Sequence, residues 1–149
     1  MDPKRIRQVS VFLENRSGRM AKITTALGQE GVDIRALALA DASDFGILRL
    51  VLTDTEKGVS ILKGKGFTVR VTDVIAVKVD DHPGGLGALL TILENAGLNL
   101  EYVYMLNHQT PDQAVFIFRF DNPDKALDVL TSNGLSVLGE DFVLGKTSN

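Results

Sequence analysis

Two short stretches carry the residue types on which chemistry could be built: Asn15-Arg16-Ser17-Gly18-Arg19-Met20 and Asp81-His82-Pro83-Gly84-Gly85-Leu86. Each falls where an apolar, strand-like run gives way to a helical one. At such a junction unpaired backbone N–H groups and the positive end of the helix dipole converge, which suits a carboxylate. Glycine at 18 and 84 removes the Cβ that would hold a ligand off the backbone, and Asn15 or Asp81 can accept hydrogen bonds from an ammonium group. A free α-amino acid carries both charges. The same residues equally suit tight turns, with Ser17 as a helix cap. Duplication copies scaffolds as readily as sites, so the residues alone leave both readings open.

Other chemistries find little support. The chain has no cysteine, which removes disulfides, thiolate metal sites and cysteine nucleophiles. His82 and His108 fall in loops without clustered ligands, and Asp80-Asp81 and Asp41 with Asp44 read as solvated turn residues. Gly145-Lys146-Thr147 resembles the end of a phosphate loop, but Glu140 stands where that motif needs glycine. Neither Gly-x-Gly-x-x-Gly nor Gly-x-Ser-x-Gly occurs. No cofactor, no metal and no catalytic residue are therefore expected. Across 149 residues, 44% are hydrophobic and 23% charged, the balance of a folded protein. The net charge of −3 argues against a nucleic-acid partner. No apolar run approaches the roughly 20 residues that cross a bilayer, and Met1-Asp2-Pro3-Lys4-Arg5 lacks the apolar stretch of a secretion signal, so a cytoplasmic protein without a membrane partner is expected.

The elements that must position the two stretches repeat. Val9 to Leu13 and Ile75 to Val79 are apolar strands leading into them. From Gly18 to Gly31, and from Gly84 to Gly97, the distance is thirteen positions. Between these glycines Met20, Ile23 and Leu27, and then Leu86, Leu89, Leu90 and Leu93, have the one-sided spacing of an amphipathic helix. Strands are expected from Val32 to Leu39 and Leu98 to Leu106. Turns at Asp41 to Asp44 and Asn107 to Asp112 should connect them to returning strands at Ile47 to Leu52 and Val115 to Phe120. Second helices open near Asp54 and at Asn122-Pro123 and close at Gly66 and Gly134. Final strands follow at Phe67 to Val71 and Leu135 to Leu144. Each half thus reads β-α-β-β-α-β, an α+β unit with two helices on one face of an antiparallel sheet, ferredoxin-like in topology. The domains expected are 1–72 and 73–149, with almost no linker between Val71 and Val74.

Alternation puts Phe116, Phe118 and Phe120 on one strand face and Val115, Ile117 and Arg119 on the other; Leu48, Leu50 and Leu52 oppose Ile47, Arg49 and Val51 in the same way. Both faces are largely apolar, yet helices in this topology cover one. Leaving the phenylalanines in water would forgo roughly 1.5–3 kcal/mol each, so packing between chains is expected, giving a homodimer or larger even-numbered oligomer.

The run from Val77 through Asp81-His82-Pro83-Gly84-Gly85-Leu86 to Gly97-Leu98-Asn99-Leu100 resembles the ACT domain, as does Asn15-Arg16-Ser17-Gly18-Arg19-Met20-Ala21 with Gly31-Val32-Asp33-Ile34. The resemblance covers nearly the whole chain, twice. It implies a tandem pair of stand-alone ACT-type regulatory modules, catalysing nothing themselves. It also implies that a free amino acid binds at an interface between paired domains, through Asn15 to Met20 and Asp81 to Leu86. Ligand would change domain pairing or the contact surface offered to a partner such as a metabolic enzyme. Arg19 departs from the Gly84-Gly85 pattern and either crowds the first loop or aims its cation at a carboxylate. Two other classes share the βαββαβ order: an RRM-like RNA-binding module, stacking bases on Phe116, Phe118 and Phe120, and a ligand-free interaction or oligomerisation module. Against the first stand the acidic chain and Asp112-Gln113-Ala114, where RNA-binding strands begin with a basic residue and glycine.

Overall fold

A computed structural model describes residues 4–40, 43–107 and 111–145. The chain packs as two compact α+β units, one formed by Arg7–Thr72 and the other by the residues outside that stretch, up to Ile6 and from Asp73 onward.

The first unit runs β1 (Ile6–Glu14), α1 (Arg19–Gln29), β2 (Ile34–Ala40), β3 (Phe45–Leu52), α2 (Thr55–Gly64) and the opening residues of β4 (Thr68–Asp80). Its strands lie in the order β2-β3-β1-β4. In the antiparallel β1–β3 ladder Val9 faces Leu50, Val11 faces Leu48 and Leu13 faces Gly46. Strand alternation therefore aims Val9, Val11, Leu13, Leu48 and Leu50 at one side, where Ile23 and Leu27 of α1 and Leu62 of α2 close the core. These side chains are almost wholly buried.

The second unit repeats the plan with the rest of β4, α3 (Gly85–Asn95), β5 (Leu100–Met105), β6 (Gln113–Phe120), α4 (Pro123–Ser132), β7 (Ser136–Leu138) and a short α5 (Glu140–Val143). β6 and β7 both pair with β4, and β5 pairs with β6, all antiparallel. The repetition extends to detail. A bulge interrupts β2–β3 at Ile34/Ala36 and β5–β6 at Leu100/Tyr102. After α1 the Val32 amide donates to the Leu27 carbonyl, and after α3 the Leu98 amide donates to that of Leu93. The thirteen-residue glycine spacing is thus one helix length plus its closing turn.

Three expectations are corrected here. The last strand was expected from Leu135 to Leu144, but β7 ends at Leu138. Gly139 breaks the ladder, Glu140 and Asp141 supply the acidic first turn of α5, and Val143 is buried. The second correction concerns Phe116, Phe118 and Phe120. Alternation is as expected, but their face is the one under the helices: Phe118 and Phe120 are 0% and 1% exposed, packed with Leu89 and Leu93 of α3 and Leu127 and Leu130 of α4, and Phe116 packs against that cluster. They are not a surface for a partner chain. The third is that the opposite face of β6 is not open either, since Val115 and Ile117 are buried in the single chain. The argument for self-association from an uncovered β6 face therefore fails. Exposed large apolar side chains lie elsewhere, among them Leu37 and Leu39 on β2, Phe45 on β3 and Met105 on β5. Of the expected hairpin turns, Asp41, Ala42 and 108–110 lie outside the described residues, as do Lys146 and Thr147 of the phosphate-loop look-alike.

Candidate functional site

The two strand-to-helix turns have the same backbone wiring. In the first, the Asn15 amide donates to Asp44 O at 2.8 Å, Arg16 N to Glu14 O at 2.8 Å, and Lys22 N to Gly18 O at 3.0 Å. In the second, Asp81 N donates to Asp112 O at 2.9 Å, His82 N to Asp80 O at 3.0 Å, and Ala88 N to Gly84 O at 2.9 Å. Gly18 and Gly84 hold φ of 86° and 89°, a left-handed backbone that explains glycine at both places. Each is the N-cap of its helix, so Ser17 is not a cap, and neither α1 nor α3 has a side chain capping its first turn.

The second helix of each unit is built differently. Asp54 accepts from the Lys57 amide and Asn122 from the Lys125 amide, each at 3.1 Å. Capping residues are thus supplied at α2 and α4 and withheld at α1 and α3. The first amide of each helix is spent within the turn, Arg19 N on Arg16 O at 3.4 Å and Gly85 N on His82 O at 3.0 Å, and the amides after it carry the positive end of the helix dipole without a side-chain cap.

Beside the first turn lies a cavity of about 290 Å³. Of the first stretch, Asn15, Arg16, Gly18, Arg19 and Met20 line it, while Ser17 is exposed and does not. Sequence reasoning missed its apolar side: Leu13 from β1, Leu39 and Ala40 from β2 and Gly46 from β3. The signal that could have found them is the hairpin register, which sets Leu13 opposite Gly46 and Leu39 opposite Leu48. Glu14 stands at the polar side with Arg19 Nη2 at 3.5 Å and Arg16 Nη1 at 3.6 Å. Arg19 Nε is buried and without a hydrogen-bond partner among the described residues. Asn15 uses its Nδ2 on Ser43 O at 3.2 Å, which ties the turn to the β2–β3 connection.

The second stretch divides. His82 and Gly85 line a cavity of about 300 Å³ that reaches Gly134, Leu135 and Ser136, whereas Asp81, Pro83, Gly84 and Leu86 are not part of that wall. A Cβ on Gly85 would stand 2.3 Å from Asp80 O, so the second turn is packed onto its own backbone. Arg19, in the corresponding place of the first turn, carries a Cβ. The first turn thus accommodates a Cβ at a point where the second does not. His82 Nδ1 lies 2.9 Å from Pro83 O, and His108 lies outside the described residues. Among the described residues no three His, Cys, Asp or Glu side chains come together as a metal site would require, and no helix is long and apolar enough to cross a membrane.

Comparison with known proteins agrees with this architecture. The family model for the ACT domain pair matches residues 4–145. Protein BT0572 from Bacteroides thetaiotaomicron is similar at 33% identity, over 95% of this chain and 96% of that one, with a TM-score of 0.89. The ligand-free regulatory subunit of aspartate kinase from Thermus thermophilus shares the fold at 13% identity, over 88% and 93% of the two chains, with a TM-score of 0.63. Aspartokinase III of E. coli, solved in complex with lysine and aspartate, shares it at 14% identity and a TM-score of 0.53; this chain covers 31% of its length. No curated protein matches the sequence. A repeated βαββαβ plan, uncapped first helices and a family match spanning both units lead to one conclusion: this chain belongs to the ACT domain pair family.

Proposed function

We propose that the protein is an amino-acid sensor that binds a free α-amino acid at the first-unit cavity and acts as a regulatory module rather than an enzyme. The observation that carries this reading is the uncapped start of α1 opening beside a cavity whose wall includes Gly18, Arg19 and Asn15. The ligand carboxylate meets the first-turn amides and Arg19, where dipole and guanidinium add. Its ammonium group meets Glu14 and the Asn15 side-chain oxygen. Ser17 shapes the turn from outside the wall. In the second unit, His82 and Gly85 offer a subsidiary place, while Asp81, Pro83, Gly84 and Leu86 build the turn.

Residues 1–72 and 73–149 act as the two ACT-type domains. The binding site is completed by an ACT-type domain of a second copy, in a homodimer or larger even-numbered oligomer, because Leu37 and Leu39 stand exposed on β2, with Leu39 in the cavity wall itself. Ligand then stabilises the paired state by differential binding and changes the surface offered to a metabolic enzyme in the cytoplasm. That the Thermus thermophilus neighbour is a regulatory subunit of aspartate kinase supports that kind of role. RNA binding through Phe118 and Phe120 is disfavoured because stacking a base on them requires removing α3 and α4.

A thermal-shift screen of the twenty amino acids with the full chain tests the proposal. A bound ligand at a hundredfold excess over its Kd adds about 2.7 kcal/mol. Folded protein that none of the twenty stabilises overturns it.

A further inference from the structure

Gly46 occupies a place in the first unit that the second unit fills differently. Gly46 pairs with Leu13 in the β1–β3 ladder, and Ala114 pairs with Val79 in the β4–β6 ladder, one residue in from the corresponding ends Glu14–Phe45 and Asp80–Gln113. The two positions are therefore equivalent, and the fold accepts a Cβ there. Nor does the backbone demand glycine, since Gly46 is not among the left-handed glycines. A Cβ built on it would meet Leu39 Cδ1 at 3.3 Å and Ala40 O at 3.2 Å, contacts that the exposed Leu39 side chain can relieve in part. What glycine provides is space, and the space is the buried floor of the first-unit cavity, between Leu13 and Leu39.

We propose that Gly46 is a specificity-determining residue that sets the depth of the first-unit cavity for an amino acid with an apolar side chain. The inference rests on the amino-acid reading of that site and adds the ligand class to it. With the charged head held at the start of α1 by Arg19, the side chain points away from Glu14, Arg16 and Arg19 toward Leu13, Met20 and Leu39. Among the described residues no charge stands on that apolar wall to pair with an acidic or basic side chain, which would be desolvated without a partner. A methyl group on the floor removes room at the far end of the ligand and leaves the head untouched. A long apolar side chain then loses affinity and a short one keeps it.

Isothermal titration of the full chain with L-leucine, L-methionine, L-phenylalanine, L-alanine, L-aspartate and L-lysine tests this, using Gly46→Ala, the reverse change Ala114→Gly and Leu39→Ala. The wild type binds leucine or methionine more tightly than aspartate or lysine. Gly46→Ala weakens leucine by about tenfold relative to alanine, the scale of one methylene in an apolar pocket, and Ala114→Gly leaves the ratio unchanged. If Gly46→Ala does not fold, Leu39→Ala decides: widening the wall raises the affinity for L-phenylalanine relative to leucine. Tightest binding of aspartate or lysine, an unchanged leucine-to-alanine ratio in folded Gly46→Ala, or no effect of Leu39→Ala on the phenylalanine-to-leucine ratio overturns the assignment while leaving the sensor reading intact. Absence of binding by any of these and by all other amino acids takes down the sensor reading itself.

Discussion

Placing a methyl group on Gly18 and, in a separate variant, on Gly84 separates what the two turns need for folding from what the first one does for a ligand. Both glycines hold nearly the same φ, and a Cβ at either meets nothing within 4 Å. The whole folding cost is thus backbone strain, about 1–2 kcal/mol for an L-residue in the left-handed region. In a chain of this size about 1 kcal/mol moves Tm by roughly 2–4 °C, so each variant should melt about 2–8 °C lower, and by similar amounts. The ligand response should differ. A stabilising amino acid at a hundredfold excess adds about 2.7 kcal/mol to the wild type and to Gly84→Ala. In Gly18→Ala the methyl stands in the cavity wall beside the first-turn amides. Losing one charge-assisted hydrogen bond costs about 1.5–3 kcal/mol, which is roughly one to two powers of ten in Kd. At the same ligand concentration the increment then falls to roughly 0.4–1.4 kcal/mol. Thermal and urea melts of both variants, with and without ligand, give all four numbers. Equal ligand increments in the two variants would refute the role given to the start of α1.

Three further outcomes test the architecture itself. Phe118→Ala should cost about 3–5 kcal/mol in urea denaturation, because the ring is fully buried beneath α3 and α4; a loss below about 1 kcal/mol would mean that the face is not core. Asp54→Ala and Asn122→Ala should each cost about 1 kcal/mol by removing a cap. Ser17→Ala should change stability by less than about 0.5 kcal/mol, and a cap-sized loss there would contradict the uncapped start of α1.

Element order was legible because its signals are local. The glycine spacing, the leucine periodicity and the Asn122-Pro123 start each act within a turn or two of chain, and α1, α3 and α4 stand where those signals put them. Strand alternation likewise sorted Phe116, Phe118 and Phe120 from Val115 and Ile117. What alternation lacks is any mark of which side the helices take. With both faces of β6 apolar, the pattern could not say that Leu89 and Leu130 land on the phenylalanines. The last strand was overread because Leu135 to Leu144 is apolar enough to extend, and the break at Gly139 rests on one residue followed by an acidic pair. At the candidate site the turn residues were legible, since glycine, serine and aspartate advertise turns. Leu39 and Gly46 were not, since they come from a hairpin distant in sequence, and only the register with Leu13 makes them neighbours of Gly18.

The shared wiring of the two turns is weak evidence for function, since any β-to-α turn of this shape needs the same amide bonds and the same left-handed glycine. Differences between the copies are more informative. Where the second unit has Gly85 pressed against Asp80 O, the first has Arg19 with an unpaired Nε–H. Where the second has Asp80 accepting from Gln113 Nε2 at 2.8 Å, the first has Glu14 between two arginines. Where the second has Ala114, the first has Gly46. Two of the first-unit choices leave something that folding alone does not use, an unspent donor and an exposed charge pair, and the third omits a methyl that would press on Ala40 O and Leu39. Folding stability would favour pairing the donor. All three departures bear on the cavity at the start of α1, with Arg19, Glu14 and Gly46 in its wall. The demand proposed above, room for a zwitterion with an apolar tail, would account for all three together.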